Sequence, residues 1–235
     1  VQDVVSRAHL TEPRTTGPKT VVPMSPKIKL RPATEREAGS PENAAAQSFP
    51  CRKHAASHLH HACMTRPGDA YAAAKLCRCM SAHDSNHVDA MQRFTRHVRD
   101  NPQQHLRCGP QPTAQQIVLH AASDASLGDE HDGRSTMGYA IWLNGAAVEW
   151  KTGVMKEIAW GTPHTECVAA SEAARATVVV ANFLAEVGFP QGPTQLRIDC
   201  KPAQTLADNE APTPLGRHVA QRYHCLRQFV HEHNT

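Results

Sequence analysis

The stretch QIVLHAASDAS, Gln116–Ser126, decides how the chain is read. Ile117, Val118 and Leu119 form an apolar run that ends in small residues carrying one carboxylate, Asp124. That pattern predicts a buried strand delivering an acid at its exit, a rigid way to hold a metal ligand. Two later stretches end alike. Glu166 opens a long Ala-rich helical segment, and Asp199 closes the apolar run Gln195–Ile198. Any one of these acids alone reads as a surface residue at the end of an element. Three on separate regular elements point to convergence on one site.

Downstream of Asp124 comes a polar loop, LGDEHDGRSTM. Tyr139, Ile141 and Leu143 then alternate toward one face, Asn144-Gly145 supplies a hairpin turn, and Val148 and Trp150 continue in the return strand. A helix is expected from Pro163 to Val187, with Thr162 as its cap, Pro163 in its first position, and Gly188 and Pro190 ending it. Glu166 then falls in the first turn, where the helix dipole favours negative charge. A strand at 195–199, a short helix at 202–208, a Pro-rich turn and a final helix carrying Val219, Tyr223, Leu226 and Val230 complete the order β-β-β-α-β-α-α. The expected class is α/β, a mixed sheet with packed helices.

Upstream the texture differs. Five prolines between Pro13 and Pro32 forbid a long helix, so residues 1–48 read as an extended strap, with a possible short helix at Val1–Leu10. Residues 52–64 and 69–80 read as helices separated by Thr65-Arg66-Pro67-Gly68. A third, His87–Arg99, carries Val88, Met91, Phe94 and Val98 as an apolar stripe. Its row of Arg93, Arg96, His97 and Arg99 reads as a solvated face before it reads as a phosphate track. Gly109–Thr113 looks like a linker between a helical segment (49–110) and the α/β domain (115–235).

The 235 residues suffice for a real core, and a formal charge of +3 is too small to argue nucleic-acid binding by itself. The fully apolar run around Val178–Ala181 is far too short to span a membrane. The first residues, VQDVVSRAHL, hold no secretory segment and read like the interior of a longer polypeptide, so an intracellular location is expected. The 8 cysteines lack zinc-ribbon spacing and are expected as reduced thiols.

Several stretches resemble one family. SDASLGDEHDGRSTMGYAIWLNGAAVEWK is similar to the pattern SDADWAGDxxDRRSTSGYxxxLxGxxxxW of the ribonuclease H domain in copia-type retrotransposon polyproteins. TECVAASEAA, RIDCKPAQTLA and GRHVAQRYHCLRQ resemble that family's AEYIALSEAA, YCDNQSAIxLA and TKHIDIRYHFIRE. FPCRKHAASHLHHACMTRPGDAYAAAKLCRCM is similar to the end of the preceding reverse transcriptase, and VVPMSPKIKL resembles the strap before it. The resemblance covers nearly the whole chain, with its motifs in order.

It implies a ribonuclease H-like fold in which clustered acids hold two Mg²⁺ (or Mn²⁺) ions. One ion activates the attacking water and the other stabilises the leaving oxygen as the RNA strand of an RNA–DNA hybrid is hydrolysed. Hard cations take oxygen ligands, so carboxylates serve where Cys or His would not. Asp124, Glu166 and Asp199 match the family's carboxylate positions. Arg134, Ser135, Arg217 and His218 fall on matching segments as nucleic-acid contacts, although Arg134-Ser135-Thr136 equally suits capping the next strand. The hybrid and the rest of the Pol polyprotein are the implied partners, and no membrane is.

There are departures as well. The family's fourth acid lies beyond the position of Thr235, and the Asp of its KHID motif is Ala220 here. His164 replaces the first Glu of a family pair, while Cys51 and His60 replace Tyr and Cys79 replaces Phe. The polymerase box YxDD is absent. These changes predict impaired cleavage; the alternatives are a catalytically dead remnant or a nucleic-acid-binding module. Cys51, His54, His58, His60, His61 and Cys63 form a cluster in which His54 and His58, four apart, have metal-ligand spacing. With no second pair nearby, substituted core and surface positions are the favoured reading, and a zinc-binding module the lesser one.

Overall fold

A computed structural model describes residues 19–25, 28, 30–109, 117–208, 226, 228 and 229. The expectations for Val1–Leu10, most of the linker, Arg217, His218, Ala220 and most of the final helix lie outside the described residues. The chain divides into two compact units, Val1–Leu106 and Arg107–Thr235.

In the first unit the Pro-rich segment is only partly extended. From residue 35 it turns helical, as α1 (Glu35–Ala38), a 3-10 turn (Pro41–Asn43) and α2 (Ala44–Ser48). Local chemistry starts α1: the Glu37 N–H donates to the Thr34 hydroxyl, and the Glu37 carboxylate accepts the Thr34 N–H, a reciprocal cap. Among the earlier described residues, Leu30 is buried and Met24 and Ile28 pack on the helical core. That core is formed by α3 (Cys51–Met64), α4 (Ala70–Arg78) and α5 (Ser85–Asp100). Met91, Phe94 and Val98 are fully buried, as their spacing required. His97, expected on the solvated face of α5, is buried instead. Its Nδ1 lies 2.9 Å from the Thr20 carbonyl and its Nε2 3.2 Å from Asp69 Oδ1, and Asp69 also accepts from Arg66 Nε. The ring is drawn inward because it ties strap, loop and helix together.

The second unit is a mixed α/β layer consistent with a ribonuclease H-like fold. Its sheet comprises β1 (Leu119–Ser126), β2 (Thr136–Leu143), β3 (Ala146–Val154) and β4 (Gln195–Ile198), in the order β3-β2-β1-β4. β1, β2 and β3 form an antiparallel meander, and β4 joins β1 in parallel after a crossover through α6 (Thr162–Glu186). The Asn144-Gly145 hairpin forms as read, with φ of 50° and 83° at its two residues, a backbone that Asn and Gly tolerate. α6 is 25 residues long and lies on the sheet through a face of small residues, including Ala169, Ala170, Ala173 and Ala176. Leu119, Ala121, Ile141 and Leu184 fill the space between helix and strands. α6 is long and apolar enough to cross a membrane, but it is used as a core helix, with 56% of its apolar window buried. α7 (Lys201–Asp208) follows β4 and packs on α6, with Ala203 against Cys167.

Candidate active site

The parallel pairing of β1 and β4 brings two acids together. The register ends at Ser123 opposite Ile198, so the next residue on each strand, Asp124 and Asp199, stands side by side at one end of the sheet. Both are exposed. The start of α6 crosses the same end and contributes Glu166 from behind, with only 3% of its surface exposed. Ligand oxygens of the three carboxylates lie within 4.8 Å of one another, and among the described residues this is the one such group of potential metal ligands.

The helix begins one residue earlier than its sequence suggested. Gly161 occupies the N-cap position in extended conformation, Thr162 is the first helical residue and Pro163 the second. The Thr162 side chain makes no capping bond, and Glu166 is therefore in the second turn rather than the first. Dipole stabilisation fades within the first turn, which leaves burial and the neighbouring acids to set the charge of Glu166. Burial, then Asp199, then Asp124 push its pKa up to about 7, and the Ala125 N–H draws it partly back. One oxygen, Oε2, is buried with no hydrogen-bond partner. An orphaned, buried carboxylate oxygen facing two more acids is the donor set a hard divalent cation takes, and the residues present fit Mg²⁺ or Mn²⁺.

Ser135 is fully buried, and its hydroxyl accepts the Gly128 N–H at 3.0 Å. It braces the loop between β1 and β2, as does Thr136, whose N–H and hydroxyl both donate to Asp129. Arg134 is half-exposed and its Nε donates to Asp132 at 2.7 Å. Ser135 and Thr136 thus hold the loop against the start of β2.

The His/Cys cluster does not assemble a metal site among the described residues. His54 stacks on Phe49 and His58 packs on Phe94, both inside the helical core. Burial pushes the His58 pKa down to about 3. His60 and Cys63 point to solvent. The seven described cysteines are all free thiols.

No protein-family profile matches the chain. It is 26% identical over 203 residues to the retrovirus-related Pol polyprotein from transposon TNT 1-94 of Nicotiana tabacum, covering 86% of this chain and 15% of that protein. It is likewise 26% identical over 174 residues to the Pol polyprotein from transposon RE1 of Arabidopsis thaliana, covering 73% of this chain and 12% of that protein. The chain thus spans a small part of these relatives, consistent with its being a segment of a larger polyprotein. Secreted RxLR effector protein 161 of Plasmopara viticola is 32% identical over 116 residues, 49% of this chain and 80% of that protein. The chain is a homologue of the retrovirus-related Pol polyproteins of plant transposons and belongs to one family with the Plasmopara viticola protein.

Proposed function

We propose that the Arg107–Thr235 unit is a retrotransposon-derived ribonuclease H of copia type, which hydrolyses the RNA strand of RNA–DNA hybrids at a rate impaired in this chain. The carrying observation is the buried, unpartnered oxygen of Glu166 set among Asp124 and Asp199, with ligand atoms within 4.8 Å. Divalent ions bound there would activate a water molecule and neutralise charge on the departing oxygen. Asp124 and Asp199 face solvent and so face the substrate backbone, while Glu166 anchors the site from the protein side. Packing of α6 on the sheet fixes Glu166, so the site needs little rearrangement to accept a cation. The proton that Glu166 holds below pH 7 competes with the metal. Metal affinity therefore falls as pH drops through that value.

The test is a hybrid labelled on the RNA strand, incubated with Mg²⁺ and the parent chain, Asp124→Asn or Asp199→Asn. The expected result is slow cutting of RNA only, leaving 5′-phosphate ends, by the parent and none by either variant. Equal cutting by the variants, or cutting of the DNA strand alone, would contradict the assignment. Hybrid binding without cutting would favour a binding module over an enzyme.

A further inference from the structure

At the end of the sheet where Asp124 lies, the loop from β3 to α6 displays an unusual side chain. Trp160 is 85% exposed, more than any other large hydrophobic residue described, and Ile158 beside it is 65% exposed. The backbone around them is held. The Met155 N–H donates to the Ser135 carbonyl at 2.8 Å, and the Trp160 N–H donates to Nδ1 of the buried His164 at 3.4 Å. The main chain is thus pinned on both sides of the loop while the indole is left in water. A tryptophan so presented forgoes the burial that normally stabilises it, which marks a contact surface more than a core residue.

Its surroundings say what it would contact. Thr136 pairs with Val154 and the Met155 N–H donates to the Ser135 carbonyl, so Arg134 and Lys156 each lie one residue beyond that bond on the two segments leaving this end of the sheet. Lys156 is exposed. Asp132 partly neutralises Arg134, so Lys156 is the cation better placed for a phosphate. Gly138 stands opposite Asp124, and the last cross-strand pair, Thr136 with Val154, lies two residues further, about 7 Å along the strands, with Arg134 and Lys156 beyond it. Gly161 caps α6, and Glu166 follows five residues on, about 7.5 Å along the helix axis. An indole and a lysine within reach of a phosphodiester site form a stacking platform with a backbone contact, the pairing used on unpaired nucleotides.

We propose that Trp160 stacks on an unpaired nucleobase of the nucleic acid bound at the carboxylates while Lys156 meets an adjoining phosphate. This rests on the nuclease reading for its location but not for its measurement. Duplex bases are closed to an indole, so the site favours a hybrid with a single-stranded tail over a blunt one.

The experiment uses the full chain in EDTA, titrated with a blunt RNA–DNA hybrid and with the same hybrid carrying an unpaired tail. Binding is followed by tryptophan fluorescence and by anisotropy of a labelled strand. The parent is expected to bind the tailed hybrid more tightly, with quenching that Trp160→Leu abolishes, since the other two tryptophans remain. Trp160→Leu should weaken binding between about fivefold and about 150-fold, Trp160→Phe should retain most of the affinity, and Lys156→Gln should flatten the salt dependence. Circular dichroism checks that the variants fold. Equal affinity of parent and Trp160→Leu, equal binding of blunt and tailed hybrids, or no binding by the parent would each overturn the proposal. Trp160-dependent binding alongside cleavage insensitive to Asp199→Asn would retain the stack and remove the nuclease reading.

Discussion

Glu166 carries the most information of any single residue here. Its pKa is raised from 4.5 to about 7, so folding favours its protonated form. The stabilisation from that proton is complete below pH 4.5 and is lost as pH rises through about 7, in the absence of metal. A shift of that size corresponds to roughly 3 kcal/mol. Glu166→Gln keeps the shape and removes the charge, so its metal-free melting temperature at pH 8 should exceed that of the parent. Thermal melts at pH 5 and pH 8 in EDTA check this; a parent and variant that track each other would show that the carboxylate is not strained. At this scale the sequence was legible where a residue ends a strand. Asp124 and Asp199 could be placed from the apolar runs before them. The helical turn holding Glu166 could not, because Gly161 competes with Thr162 for the cap, and only the packing of α6 decides between them. Trp160 passed unnoticed because sequence shows hydrophobicity but not exposure.

Among the elements, the clearest lesson is the helical core. The apolar stripe of α5 was readable because its spacing repeats. The histidines of α3 were not, because a His on a helix does not declare whether it faces water, metal or core. His58 Nε2 lies 2.9 Å from the Thr95 hydroxyl, which itself donates to the Met91 carbonyl, so Nε2 carries a proton and is the donor. Its pKa is lowered from 6.5 to about 3, chiefly by burial. Neutral His58 therefore contributes stability that is present above pH 6.5 and lost as pH falls toward 3. Between pH 6.5 and 5 that loss is about 2 kcal/mol. Half-buried His61, also lowered, acts in the same direction. His97, which Asp69 raises against the effect of its burial, acts in the opposite direction. His58→Leu should blunt the fall in melting temperature of the helical unit between pH 7 and pH 5. An unchanged fall would assign the acid sensitivity elsewhere. The short helices after residue 34 were missed because their starting signal, the Thr34–Glu37 cap, sits inside a Pro-rich stretch that reads as extended.

Across the whole molecule, the two units respond to acid in opposite senses. Protonation favours the carboxylate site of the second unit and disfavours the histidine core of the first. The division into two units follows from chemistry visible along the chain: period-3.6 stripes before residue 107, alternation and a hairpin after it. Topology brings together what is far apart in sequence. Asp124 and Asp199 become neighbours because α6 carries the chain across the sheet and β4 docks parallel to β1. That crossover gathers three scattered acids into one cluster, and everything proposed for function depends on it. Calorimetric titration of Mn²⁺ at pH 8 into the parent chain and Asp124→Asn tests it most directly. The parent should bind the ion and the variant should lose most of that affinity while keeping its circular dichroism spectrum. A parent that binds no divalent ion, or a variant that binds it equally well, would contradict the account.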